Sequence, residues 1–452
     1  MDVYILLAYI SLIIYILLGI YMFKVNTKHY IYIFLLYFYQ FTAIVSSLYI
    51  EHGVFITEQA RYSYPTGATA RLVLYNLAFF LPLSFFLRKI FDKELRTNKL
   101  IKRDKINNII GVVMISAISV SVILLFYNLL KTGIPLFSDG QITRYIFWEK
   151  FSKYEWAQKI HYQVSLMGFI LGLIHATSKG KRVRLASVFL LILIISYLIL
   201  FGEKFSSIFR TLYMYLIPFY TIKFINKKKY FEKRDVLLIL TIFVMLIGLT
   251  VFHYSQKEGS ALELMIYRAL GLQGHTWWGA DEYLLTNKTF DYAQHLSDEW
   301  KGIIDPTQNR FNTGMRFLMI LIGEPRLVDI YISNNVNFTM AYPAITIFTF
   351  GYVGAVIFQI LFALVFSFII SLFYNSIAKK QYFISILATK LYISGFTLFY
   401  QGDYFEFFNL QVLFIFYLVG LSWLLMNFNR RRSNSISFYN RRYEINVSMK
   451  EI

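Results

Sequence analysis

Cysteine is absent from all 452 residues. Its absence excludes disulfides, thiolate metal sites, iron–sulfur clusters and cysteine nucleophiles together. Charge is scarce as well. Only 16% of residues are charged, where a soluble domain carries about 25%, and mean hydropathy is +0.52. A soluble globular enzyme and a disordered chain are both excluded. The seven histidines show no HxH or HxxxH spacing. Neither GxxxxGK[ST] nor GxGxxG occurs, so no nucleotide site is legible. No period of 20–50 residues and no inverted pair of halves is evident, which disfavours a repeat-built transporter.

What fills the chain is apolar: 57% hydrophobic residues, with 36 Tyr and 45 Phe among them. A bilayer core takes about 20 apolar residues per helix. Runs of that kind predict 11 spans, at 3–23, 30–50, 70–87, 109–130, 160–177, 185–201, 208–225, 236–253, 343–377, 383–400 and 409–427. The 343–377 run is too long for one upright helix, and Gly351 and Gly354 predict a short lead-in segment before the span. No signal peptide with a small-residue cleavage site is visible, so Val3–Phe23 is expected to remain as an anchor. The expected fold is an all-α polytopic membrane protein, one transmembrane domain over 1–427 with a basic tail at 428–452.

Charge sets the expected orientation. With the amino terminus outside, the inside segments hold 28 Lys+Arg and 7 Asp+Glu, and the outside segments hold 16 and 19. The +19 of the chain is thus a cytoplasmic excess, as the positive-inside rule requires. The basic runs need no nucleic acid to explain them. Two long loops, 131–159 and 254–340, are expected on the outer side and carry the candidate chemistry.

In the larger loop, Ser260-Ala-Leu-Glu263 is a capping box that predicts a helix ending near Gly271 or Gly274. Arg268, Gln273, His275, Trp277 and Trp278 follow within 11 residues, with Gly271 and Gly274 among them and Gly279 directly after, three glycines that let backbone approach a ligand. An interfacial anchor, with Trp at headgroup level and a snorkelling Arg, would use the same residues. Further on, Asn312 or Thr313 caps an apolar helix, and Arg316 and Arg310 add positive charge to its anion-binding start. Pairing with Asp305, Glu324 or Asp329 is the alternative for these arginines. In the 131–159 loop, Ser138 or Asp139 caps a predicted interfacial helix that carries Arg144. Glu203 and Lys204 stand at a span end with Arg210 just inside the next span, either a snorkelling pair or an intramembrane functional Arg. Lys390 is a weaker candidate of the same kind, and His161 and His175 read as satisfied interior histidines. Arg suits bidentate phosphate recognition, and Trp and Tyr faces suit sugar rings. Cations and aromatics together at membrane level point to a lipid-pyrophosphate glycan. No DxD stands on the outer face, so no metal is expected. A base is wanted for a glycosyl transfer, and His275 is preferred over Asp139 or Asp281.

The chain resembles the Wzy-type repeat-unit polymerases of bacterial O-antigen and capsule assembly. The resemblance covers the topology of the whole chain. Locally it rests on Gly133-Ile-Pro135-Leu-Phe through Arg144-Tyr-Ile-Phe147, Gly202-Glu-Lys204-Phe, Tyr267-Arg268 with Leu272-Gln273-Gly274, Gly314-Met-Arg316, and Tyr342-Pro343-Ala344 through Phe350-Gly351. The resemblance implies a GT-C-like fold in the inner membrane and a metal-independent, cofactor-free glycosyltransferase with a periplasmic active face. Its substrate would be an undecaprenyl-pyrophosphate-linked oligosaccharide, with essential arginines at Arg144, Arg268 and Arg316. A Wzz-type chain-length co-polymerase would be its partner beside membrane lipid. Tyr342 joins the substrate-binding candidates. A lipid-glycan ligase, a flippase or transporter, and a non-catalytic scaffold remain open as alternatives.

Overall fold

The computed structural model describes residues 2–91, 106–138, 144, 146–203, 205–227, 248, 267–287, 291–304, 314–334, 336–338, 342–402 and 404–421. The predicted span 236–253 (Gly248 apart), the capping box at 260–263 and the basic tail 428–452 lie outside the described residues.

The apolar runs form long helices because every backbone polar group is satisfied within the helix, as a lipid environment demands. In chain order these are α1 (Val3–Val25), α2 (Tyr30–Ile50), α3 (Ala68–Lys89), α4 (Ile106–Thr132), α5 (Glu155–His161), α6 (Val164–Thr177), α7 (Lys181–Leu200) and α8 (Phe205–Lys227). After them come α9 (His275–Thr286), α10 (Tyr292–Ile304), α11 (Gly314–Ile322), α12 (Pro325–Ser333), α13 (Ala344–Ala378), α14 (Tyr382–Gln401) and α15 (Leu410–Leu421). Among the described residues seven helices are long and apolar enough to cross a membrane, and α5 with α6, bent by 51°, would make an eighth. The predicted single span at 160–177 is therefore a broken one. α8 has the length of a span but carries Arg210, Lys223 and Lys227. The predicted lead-in to the 343–377 run is present: α13 breaks at Gly351, whose φ of 70° and ψ of 175° no helix contains.

The all-α expectation needs one small correction. Residues 51–67, between α2 and α3, include a two-stranded antiparallel ladder, β1 (Phe55–Ile56) on β2 (Arg61–Tyr62). Two cores hold the bundle. The larger joins α1, α2, α3, α13 and α14 and takes in Trp277 and Trp278 of α9. The smaller joins α4, α6, α7 and α8. The outward faces stay apolar: Val353, Ile357 and Leu361 of α13 recur at i, i+4 and i+8 and are more than half exposed. An apolar helix with an apolar exposed face is the signature of a lipid-facing one.

α6 and α8 approach unusually closely. A Cβ on Gly172 would stand 2.0 Å from the Tyr215 carbonyl, and one on Gly168 2.7 Å from that of Thr211. This is the small-xxx-small packing that membrane helices use in place of hydrophobic attraction. The close approach brings Ser165 of α6 against Arg210 of α8. The segments 51–67, 134–138, 146–153, 201–203, 267–287 and 404–408 all belong to the same end of the bundle, here termed the loop-bearing end.

Candidate functional site

Two polar clusters stand at the loop-bearing end. The first joins residues 51–71 to α9, and its arginines and carboxylates are bonded within the cluster. Arg71 grips Asp281 with two hydrogen bonds (Nε to Oδ1 2.8 Å, Nη2 to Oδ2 2.6 Å), and the Tyr352 hydroxyl also donates to Oδ1 (3.3 Å). Burial raises the Asp281 carboxyl above its usual range even against that pair. Arg61 bonds Glu282 at 2.9 Å and lies 5.0 Å over the Trp278 ring. Glu51 is buried and accepts from the amides of Thr66, Gly67, Ala68 and Thr69 at 2.6–3.2 Å, filling the anion site at the start of α3 with the chain's own carboxylate. Tyr267 donates to the buried Glu58 carboxylate at 2.5 Å.

This cluster corrects several expectations. Trp277 and Trp278 are 1% and 0% exposed and give their indole N–H groups to the carbonyls of Ala68 and Tyr64, so neither presents a face to a sugar ring. Burying an indole repays its area only when the N–H is satisfied, and these two are. The glycines admit the chain itself and no ligand. A Cβ at Gly274 would meet the Ser47 amide nitrogen at 2.5 Å, one at Gly279 the Gln59 amide nitrogen at 2.4 Å, and one at Gly271 the Tyr267 ring at 2.8 Å. His275 is 1% exposed, its ring edge against Phe338, and among the described residues its Nδ1 has no partner. Burial pushes its pKa down to about 4, only partly offset by Glu58. The predicted helix over 264–268 is a π-turn at Tyr267–Gly271 in its described part. The Arg268 side chain lies outside the described residues, as do Asp139, Lys204 and Arg310. Gln273 lies in the turn before α9.

Two further residues also take structural positions. The α11 start is occupied, because Gly314 N–H donates to the Glu299 carboxylate. Arg316, 8% exposed, directs Nη1 to the Val336 carbonyl at 3.5 Å. Tyr342 is 2% exposed, packs on Phe399 and donates to the Gln359 side-chain oxygen. A buried phenol satisfied in this way is a core residue.

The second cluster joins segments that are far apart in sequence. Arg144 Nη1 meets Glu203 Oε2 at 2.6 Å, and Ser207 donates to the same oxygen at 2.8 Å. His161 Nε2 stands 4.0 Å from the other carboxylate oxygen, and its Nδ1 is 3.0 Å from the Tyr197 hydroxyl. Trp148 closes one side, its ring centroid 5.4 Å from that of His161. Burial alone would raise the Glu203 carboxyl, but Arg144, with His161, Ser207 and Arg210, holds it below the usual carboxylate range. Arg210 lies one turn beyond Ser207. Its Nε donates to Ser165 at 3.0 Å, and it makes no ion pair among the described residues. Gln163, between α5 and α6, accepts from Lys390 Nζ at 3.4 Å.

Of the predicted cations, then, the structure brings Arg144 and Arg210 together and adds Lys390 nearby. Glu203 makes its ion pair with Arg144, and Arg210 acts on the same carboxylate from further off. Sequence reasoning missed the roles of His161, Ser165 and residues 51–71. Glu203, Ser207 and Arg210 recur at i, i+4 and i+7, a one-face signal that was available. The contacts of residues 51–71 with 267–282 had no such signal, because they join residues more than 200 apart.

Residues 308–416 match a family of unknown function (DUF6418), so α11 to α14 and the start of α15 are similar to that family. No curated protein and no solved structure matches the chain.

Proposed function

We propose that this chain is a membrane glycosyltransferase of the Wzy polymerase type. It moves a growing glycan from undecaprenyl pyrophosphate onto a new lipid-linked repeat unit. In this proposal 11 spans cross the inner membrane, with the amino terminus and the loop-bearing end periplasmic. A Wzz-type co-polymerase sets chain length. The observation that carries the reading is Arg210: a cation in α8 whose Nε is held by Ser165, which acts with Arg144 on Glu203 and makes no ion pair of its own among the described residues. An Arg without a close ion-pair partner inside a helical bundle is costly unless it serves a ligand or a path.

The chemistry asked of the site is limited. An acceptor hydroxyl oxygen forms a bond to the donor sugar C1 while the bond from C1 to the pyrophosphate oxygen breaks. The electron pair leaves with the pyrophosphate, and the hydroxyl proton passes to a base. Arg144 and Arg210 neutralise the leaving group, and Arg does this with a planar fork of donors. His161, oriented by Tyr197 and facing Glu203, is better placed than the enclosed His275 to take the proton.

Deletion of the gene in its host tests the reading. The expected outcome is single-repeat capping on lipid A. Accumulated long lipid-linked polymer would mean a ligase. Arg210→Ala should reproduce the deletion at normal protein level, a loss of about a hundredfold in rate for one charge-assisted contact, and Arg210→Lys should rescue in part. Normal ladders from Arg210→Ala would remove the site. A transporter of an anionic lipid-linked glycan is the second reading, favoured by Lys390 and Arg210 inside two helices. It expects loss of every repeat from the outer surface.

A further inference from the structure

α10 is strongly amphipathic, and its exposed apolar edge has no partner among the described residues. Leu296, Trp300 and Ile304 recur at i, i+4 and i+8 and are 45%, 61% and 69% exposed. At about 100° per residue they span one flank of roughly 80°. The polar flank carries Gln294, Ser297, Asp298 and Lys301, with Gln294 and Lys301 both bonded to Asp298. The third face points inward. Tyr292 packs beside the Gly351 break of α13, and His295 and Glu299 wall a small cavity of about 10 Å³ with Gly314, Phe317, Phe348 and Thr349. A helix with only two sides to satisfy would need a core face and a water face. α10 has a third side that is apolar and that no described residue covers.

Position identifies what covers it. α10 packs on α13 at its break and on the turn Phe405–Phe408. Directly past those contacts begin the exposed apolar faces of α13 (Val353, Ile357, Leu361) and α15 (Leu410, Phe414, Tyr417). The Leu296–Trp300–Ile304 edge thus continues the lipid-facing belt of the bundle at its loop-bearing end.

We propose that α10 is an interfacial helix. It lies along the membrane surface with Leu296, Trp300 and Ile304 among the headgroups and upper acyl chains, and it closes the His295–Glu299 cavity against lipid. Trp suits this depth, with an apolar body and one polar N–H. An apolar flank beside a charged one is the pattern of helices lying in the interface plane. The inference is independent of the glycosyltransferase reading, because it concerns only where lipid meets the protein.

The absence of cysteine makes the test direct. Single cysteines at Leu296, Trp300, Ile304, Ser297 and Lys301 are spin-labelled in the full chain, reconstituted in phosphatidylcholine–phosphatidylglycerol vesicles. Power saturation compares oxygen, which concentrates in lipid, with a water-soluble nickel chelate. Labels at 296, 300 and 304 should favour oxygen by severalfold, and labels at 297 and 301 should favour nickel. Nickel access at 296, 300 and 304 would overturn the proposal in favour of a water-facing edge. Protection from both reagents would overturn it in favour of a protein partner. If a cysteine variant fails to fold, the native chain still reports. Brominated lipid should quench a fluorescence component that Trp300→Phe removes, and an unchanged quenching profile in Trp300→Phe would reject the idea.

Discussion

Arg71 and Arg210 are both arginines near the loop-bearing end, and their neighbours give them opposite tasks. Arg71 is spent on Asp281, whose side chain is fully buried. Removing one partner of such a pair strands a charge, and the cost is about 3 kcal/mol at the lower end of the usual range, because Arg71 is itself partly exposed. Arg71→Met should therefore lower the thermal midpoint of the protein in detergent, while Arg71→Met combined with Asp281→Leu should recover most of the loss. Equal destabilisation by the single and double changes would show that the pair is not what holds α9 to α3. His275 supports a pH prediction. Its pKa is about 4 in the fold and about 6.5 in an unfolded chain. The unfolded state thus binds a proton that the folded state refuses. Stability is fully present above about pH 6.5 and falls as pH drops toward 4, by roughly 3 kcal/mol. His275→Gln should flatten that part of the stability–pH curve, and an unchanged slope would mean that other groups carry it.

At the scale of elements, the α6–α8 contact fixes the geometry of the second cluster. Gly168 and Gly172 let the two backbones touch, and this is what sets Ser165 on Arg210. Gly172→Val would drive a side chain into the Tyr215 carbonyl, so the helices must separate. The expected result is a sharp fall in folded protein, read as the monodisperse fraction after extraction. Gly420→Ala in α15, with nothing within 4 Å of the added Cβ, is the matched control and should be silent. The break in α13 has another cause. Gly351 takes a positive φ that an L side chain rarely adopts, and the Tyr292 ring packs against the position. The break turns the first two turns of α13 beneath α10 before the lipid-crossing part begins.

On the scale of the whole molecule, orientation is the property with the widest consequences, since it decides which compartment the two clusters face. By the positive-inside rule, the excess of Lys and Arg on alternate segments leads to the expectation that the loop-bearing end is outside. Asn287→Cys, at the exposed end of α9, should react with an impermeant maleimide in intact spheroplasts. Lys179→Cys, exposed between α6 and α7, should react only after the membrane is opened. The reverse pattern would invert the topology and take the proposed periplasmic chemistry with it.

Hydropathy along the chain was enough to fix the helical membrane class, the position of most spans and even the break in the long 343–377 run. Those properties depend on local composition: a stretch of apolar residues must bury its own backbone, and a glycine with free φ marks where the helix can fold over. Composition could not tell a Trp at an interface from a Trp in a core. Trp277 and Trp278 looked like a sugar platform or a membrane anchor until Ala68 and Tyr64, more than 200 residues earlier, were seen to accept their N–H groups. Likewise, nothing local distinguished Arg71 from Arg210. Only tertiary structure decides which cation meets a carboxylate, because an ion pair depends on a few ångströms between side chains that sequence separation does not encode. Asp281 lies beside Arg71, and Glu203 lies on Arg144 at 2.6 Å. Among the described residues Arg210 has a serine for its hydrogen bond and no ion pair, and that difference singles it out.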